Sequence, residues 1–141
     1  MTLTLNGLRK KMQNLDICMM TTQTSRGALN SRPMSNNGDV KYDGNSYFFT
    51  YEQSQKVKEL TANPQVQLNF NGADDLYISV MGKAKLIRAK NRLAEHWQPS
   101  LAQWFKEGLE TPGIVMIHVK AATIKYWQRN KEGVLKVNSA S

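Results

Sequence analysis

One stretch of the chain combines three features that bind a phosphate group: hydroxyls, a cation and the start of a helix. Residues 47–51 are rich in aromatic side chains, which favour a β-strand. Ser54 follows at the position of a helix N-cap, with apolar residues at i, i+3 spacing after it. Free N–H groups at this helix start, the hydroxyls of Thr50 and Ser54 and the ammonium of Lys56 can therefore converge on one anion. An ordinary capped helix with a solvated lysine would show the same local pattern.

The composition is that of a globular chain with one domain. It has 141 residues, 40% of them hydrophobic, which suits a single core. No apolar run is long enough to cross a membrane, and polar residues interrupt the N-terminus where a signal peptide is apolar, so we expect a cytoplasmic protein with no membrane contact. The single cysteine, Cys18, excludes an internal disulfide, and its apolar neighbours predict a buried, unreactive thiol.

The net charge indicates an anionic partner of some kind. The sequence has 19 Lys and Arg against 11 Asp and Glu, a formal charge of +8. The excess of positive charge is distributed over both halves of the chain. It forms no basic tail or block, and a tail or block of that kind is the usual sign of a nucleic-acid-binding segment. A small anionic ligand explains the charge equally well, and we do not expect nucleic acid as a partner.

Hydrophobic periodicity predicts a mainly β chain with peripheral helices. An amphipathic helix at 5–15 comes first, and Asn63-Pro64 ends the helix that begins after Ser54. The alternation of apolar and polar residues is most regular at 65–71. Turn residues occur at 24–27, 36–39 and 42–45. Strands are predicted at 16–23, 28–35, 47–51, 65–71, 76–87 and 113–128.

Six antiparallel strands with few helices predict a small closed or nearly closed barrel. Gly82 lies inside the fifth predicted strand, where a glycine indicates a bulge or a close backbone approach. Residues 89–109 have a helical pattern interrupted by Pro99. Trp97 and Trp104 in this insert are expected to be core residues before any cofactor role.

Four short elements follow one another in order along the chain. They are Ser31-Arg32-Pro33-Met34, then Phe49-Thr50 with Ser54-Gln55-Lys56, then Met81-Gly82-Lys83-Ala84, and finally Tyr126-Trp127-Gln128. Together they resemble the pyridoxamine 5'-phosphate oxidase-like FMN-binding split-barrel superfamily, and they are most similar to its general stress protein branch. No single element is specific, but four in the same order are a stronger signal than any one.

The resemblance implies a six-stranded antiparallel split β-barrel that forms a homodimer. Residues 1–141 would be a single domain, with a core at about 5–128 and a C-terminal tail at 129–141. One FMN would occupy each of two clefts at the subunit interface. FAD in place of FMN is left open by the sequence.

The resemblance also implies a set of residues that contact the cofactor. Arg32 would meet its phosphate, and the strand backbone through Pro33 and Met34 would run beside the flavin ring. Phe49 and Thr50 would line the ring and the phosphate. Ser54, Gln55 and Lys56 would hold the phosphate. Trp127 and Gln128 would reach the flavin of the partner subunit.

The sequence departs from the vitamin B6 oxidases of this superfamily at two places. They carry an Arg-x-His element after the last tryptophan, which is absent here, and an Arg at the position of Gln55. We therefore expect weaker FMN binding and no B6 oxidase activity. The expected function is an FMN-dependent oxidoreductase that transfers electrons through flavin N5, with no catalytic side chain assigned.

Two other classes of function remain open. One is a split barrel that binds flavin without turnover, or that binds haem or a deazaflavin. The other is a β-barrel that binds single-stranded nucleic acid through Tyr47, Phe49 and Tyr51. A metal site is not expected, because His96 and His118 have no Cys or carboxylate at ligand spacing.

Overall fold

The computed structural model describes residues 4–12, 15–35 and 43–137. The helices are α1 (Leu5–Met12), α2 (Gln55–Ala62) and α3 (Lys90–Glu95), with 3₁₀ turns at Pro99–Gln103 and Gly108–Glu110. The strands are β1 (Ile17–Gln23), β2 (Leu29–Ser35), β3 (Asn45–Tyr51), β4 (Gln65–Gly72), β5 (Leu76–Ile87), β6 (Ile114–Gln128) and β7 (Lys131–Lys136). The turn predicted at 36–39 lies outside the described residues.

All strands belong to one antiparallel sheet, as predicted. The strand order is β2-β1-β4-β5-β6-β3, and β7 pairs with β6. The sheet is curved but not closed, because β2 and β3 stand at the two ends of this order and do not pair with each other in the described part of the chain. The prediction of a mainly β, split-barrel fold is therefore confirmed, with seven strands among the described residues in place of six.

The seventh strand lies within the segment 129–141, which was predicted as a C-terminal tail. Arg129 has a φ of 58° in the tight turn after β6, so the chain reverses and β7 runs back along β6. Leu135 packs against the core. At Gly133 the Tyr126 ring leaves no room for a side chain. The strand was missed because six residues with only two apolar positions give little periodicity.

The hydrophobic core lies inside the curved sheet, and a second cluster lies outside it. Along β4, Val66, Leu68 and Phe70 are buried while the residues between them are more exposed, which confirms the alternation predicted there. The second cluster joins the outer side of β3 and β6 to the insert at residues 90–110. The insert therefore packs against the sheet from outside the barrel.

The two tryptophans of the insert have different environments. Trp97 is half-buried and meets Phe49 edge-on, with ring centroids 5.4 Å apart. Trp104 is 59% exposed, so the expectation that it is a core residue is wrong. The sequence spacing of the two tryptophans did not indicate this difference, because Pro99 begins a 3₁₀ turn that changes the direction of the following side chains. In the described ranges, no helix is long and apolar enough to cross a membrane.

Gly82 provides a test of the predicted bulge. The register between β5 and β6 shifts at Met81/Gly82, and a Cβ on Gly82 would overlap the backbone carbonyl of Lys120. We expect Gly82→Ala to lower the free energy of unfolding by about 3 kcal/mol in urea denaturation, because backbone cannot yield as a side chain can. Gly72→Ala is the control, since the nearest atoms to its Cβ would be side-chain atoms of Leu76 and Leu15, at 3.1 Å or more. Equal losses in both variants would contradict this account.

Candidate functional site

A cleft of about 350 Å³ lies between the two edge strands of the open sheet. β2 forms one side, β3 forms the other, and the insert adds a third wall. The cleft exists because the sheet does not close, so the strands at its two ends remain apart. Its lining residues are Ile17, Pro33, Met34, Ser35, Phe49, Thr50, Tyr51, Lys56, Leu101, Trp104 and Phe105.

Lys56 is the cation that lines this cleft. Its Nζ donates a hydrogen bond of 3.1 Å to Thr50 Oγ1, and Thr50 is almost fully buried at the end of β3. Burial, and then the charge of Arg32, lower the pKa of Lys56 from its usual value. An ammonium has three donors, so two remain without a partner among the described residues. An anion in the cleft would compensate for both the burial of Lys56 and the nearby charge of Arg32, which disfavour the charged form of the lysine.

Helix α2 begins beside this lysine, with Ser54 at the N-cap as predicted. Ser54 has extended backbone angles (φ −69°, ψ 151°), but its hydroxyl does not cap the helix. Its Oγ is buried and has no hydrogen-bond partner in the described structure. Buried hydroxyls are normally satisfied, so this atom is an unused hydrogen-bonding group at the start of α2.

Arg32 lies beside Lys56 but does not line the cleft. Its Nη2 is 3.2 Å from the buried Glu59 carboxylate, and its Nη1 donates to Thr22 Oγ1 at 2.7 Å. Gln55 also donates to Glu59, at 3.1 Å. The structure therefore brings Arg32 and Gln55 together, but through a carboxylate that the sequence pattern did not indicate. In the sequence, the charged neighbours of Glu59 in its helix are typical of a solvent-exposed position. Its partner Arg32 is 27 residues away in the chain.

The other walls of the cleft are flat and apolar. Phe49 is 8% exposed and lies edge-on to Phe105 of the insert. Tyr51 donates its hydroxyl to the carbonyl of Trp104 at 2.9 Å, which fastens the insert to β3. Pro33 and Met34 line the opposite side from β2. The insert residues were not predicted as site residues, because their apolar spacing alone indicates packing.

Trp127 and Gln128 lie apart from the cleft of their own chain. Trp127 is 40% exposed on β6 and stands opposite Tyr77 of β5, which is 51% exposed. Gln128 accepts from Lys11 Nζ at 3.3 Å and donates to the carbonyl of Asp74 at 3.4 Å. Their predicted contact with a partner's flavin stays a prediction.

Both histidines of the chain stack on one tyrosine. The Tyr47 ring lies between His96 and His118, with centroid distances of 3.5 Å and 4.7 Å. His118 Nε2 lies 2.8 Å from Asn45 Oδ1. This stack holds the end of α3 against β3 and β6, and sequence spacing gave no signal for it. Among the described residues, no group of three His, Cys, Asp or Glu side chains is placed to hold a metal ion.

These features together suit a flat molecule that carries a phosphate. The ammonium of Lys56 and the hydroxyl of Thr50 lie together at one end, and the aromatic and aliphatic groups form the walls. A flavin mononucleotide has this division between a terminal phosphate and an apolar ring system. The lining residues include no His or Cys, but Met34 and Tyr51 belong to residue types that can also serve as axial ligands to haem iron.

A family model for proteins described as pyridoxamine 5'-phosphate oxidase like matches residues 4–140. The chain belongs to this family. A general stress protein is also among the relatives of this chain. General stress protein 26 of Bacillus subtilis is 28% identical over 83 residues, which are 56% of this chain and 59% of that protein. Protein bli-3 of Neurospora crassa is 29% identical over 143 residues, 94% of this chain and 68% of bli-3.

Solved structures of the family have the same fold. A protein related to general stress protein 26 from Clostridium acetobutylicum superposes with a TM-score of 0.82 at 18% identity, over 94% of each chain. A general stress FMN/FAD binding protein from Xanthomonas citri superposes with a TM-score of 0.66 at 17% identity, over 97% of this chain and 88% of that one. At these identities the likeness establishes the fold.

The histidine stack predicts a loss of stability in acid. Burial, and then the charges of His96, Lys85, Arg92 and Lys120, lower the pKa of His118 below its usual 6.5. Below about pH 6.5 the unfolded chain therefore binds protons that the folded one does not, and folding weakens as pH falls toward the folded pKa. We expect His118→Gln to lose less unfolding free energy than the wild type between about pH 7.5 and pH 5 in urea denaturation. If both proteins lost the same unfolding free energy over this pH range, His118 would not contribute to the acid sensitivity.

Proposed function

We propose that the protein binds FMN in the cleft between β2 and β3 and works as an FMN-dependent oxidoreductase. The observation that carries the proposal is the polar end of the cleft. There, Lys56 has two donors without a partner among the described residues. Two residues before it, just ahead of α2, the buried hydroxyl of Ser54 also has no partner in the described part of the chain. A phosphate dianion would supply the missing acceptor and the missing counter-charge at once.

The chain's own residues would divide the work of holding the cofactor. Lys56, Thr50, Ser54 and the unused donors of Arg32 would bind the phosphate. Phe49, Pro33 and Met34 would lie along the ring, and the insert would exclude water from it. When bound, the flavin supplies two-electron redox chemistry at N5, so no protein nucleophile is needed.

The family supports this proposal and also narrows it. A structural neighbour from Xanthomonas citri is named an FMN/FAD binding protein. The sequence has no Arg-x-His element after Trp127, so an acceptor other than a B6 vitamer is proposed. Two of the three rings of the nucleic-acid alternative have little free face for a base, because Phe49 is buried and Tyr47 stacks on both imidazoles. Tyr51 is 44% exposed, and its hydroxyl donates to the carbonyl of Trp104.

We also propose that two copies of the chain form a dimer through the outer face of the sheet. Exposed apolar side chains gather on the strands away from the barrel interior: Ile17 and Met19 on β1, Tyr77 on β5, Trp127 on β6 and Val134 on β7. Exposed apolar surface of this kind marks an interaction site. A second copy on this face would bring the partner's Trp127 toward the cleft.

Lys56 is the sharpest test of the phosphate site. We expect Lys56→Ala to weaken FMN binding at least tenfold in a fluorescence titration, because a charge-assisted hydrogen bond is lost. Riboflavin, which has no phosphate, should bind both proteins about equally. Lys58→Ala on the same helix is the matched control, since Lys58 is exposed. Equal FMN affinity in all three proteins would overturn the phosphate assignment.

A further inference from the structure

The carboxylate of Glu59 is the centre of a buried hydrogen-bond network. Glu59 is 3% exposed. Its Oε1 accepts from Thr22 Oγ1 at 2.5 Å and from Arg32 Nη2 at 3.2 Å. Its Oε2 accepts from Asn30 Nδ2 at 2.6 Å and from Gln55 Nε2 at 3.1 Å. The four donors come from β1, β2 and α2, so one side chain joins three elements.

The network keeps Glu59 ionised. Burial alone would raise the pKa of this carboxyl, but the hydrogen bonds from Thr22, Gln55, Asn30 and Arg32 outweigh it and lower the pKa to about 2. The Glu59 carboxylate is therefore ionised at neutral pH. Its field acts on Arg32 first, because this is the one cation it contacts among the described residues.

The contacts of Arg32 use one edge of its guanidinium. Nη1 donates to the carbonyl of Met20 at 3.3 Å and to Thr22 Oγ1, and Nη2 donates to Glu59. A guanidinium has five N–H donors. Nε–H and one N–H of Nη2 therefore remain without a partner in the described part of the chain. The side chain is 20% exposed, so part of it reaches the protein surface.

We propose that Glu59 is a positioning residue for the cofactor phosphate: it clamps the Nη1–Nη2 edge of Arg32 so that the Nε–Nη2 edge faces the phosphate site beside Lys56. This inference rests on the proposed function. It also assigns Gln55 to the same clamp, where it holds Glu59 and does not bind phosphate directly. Without the clamp, Arg32 would keep its charge but would lose its fixed direction, and a bidentate contact needs that direction.

Glu59→Gln removes the charge at nearly constant volume. The new amide presents an N–H₂ group, and the amides of Asn30 and Gln55 can turn to offer it their oxygens. Thr22→Val is a second variant, which keeps the Glu59 charge but deletes the hydroxyl that links it to Arg32 Nη1. Glu52→Gln is the matched control, because Glu52 pairs with Arg88 on the surface.

The test compares FMN with riboflavin in fluorescence titrations of each protein. We expect Glu59→Gln and Thr22→Val to weaken FMN binding about tenfold and to leave riboflavin binding within about twofold, while Glu52→Gln changes neither. If Glu59 had a purely structural role, the substitutions would weaken the binding of FMN and of riboflavin together. If Glu59 only neutralised the charge of Arg32, FMN would bind more tightly to Glu59→Gln than to the wild type. Either result would overturn the inference alone. A wild-type protein that binds no FMN would overturn the proposed function as well.

Discussion

The ion pair between Arg32 and Glu59 fixes the edge strand β2 against helix α2, and the shape of the cleft depends on it. Edge strands have one unpaired side and few constraints on their position. Here the carboxylate also binds Thr22 and Asn30, so β1 and β2 are held at the same point. Removing one partner would leave a buried charge uncompensated, which typically costs about 3–5 kcal/mol. Arg32 therefore has a structural role whether or not a ligand is present.

The cleft follows from a sheet that stops short of closure. β2 and β3 end the strand order, and the space between them is covered by the insert after β5. Polar groups come from the start of α2 at one end, and aromatic groups come from β3 and the insert along the walls. The histidine stack and the bond from Tyr51 to Trp104 hold the insert in place. These side-chain contacts thus set the width of the cleft, whereas the proposed redox chemistry would come from the bound flavin.

Much of the fold could be predicted from short-range signals. The alternation at 65–71, the glycine at the Met81/Gly82 shift and the N-cap at Ser54 are local, and the structure has all three. Long-range partners could not be predicted in this way. Three of the four donors to Glu59 are 27 to 37 residues away in the chain, and the two histidines are brought together by their stacking on Tyr47.

The most direct test of this account is a crystal structure of the protein grown with FMN. The account predicts the phosphate within hydrogen-bond distance of Lys56 Nζ, Ser54 Oγ and the unused edge of Arg32, with the ring in the cleft between β2 and β3. Arg32 should keep its contact with Glu59. A phosphate bound elsewhere, or an Arg32 that has left Glu59 to reach it, would contradict the account.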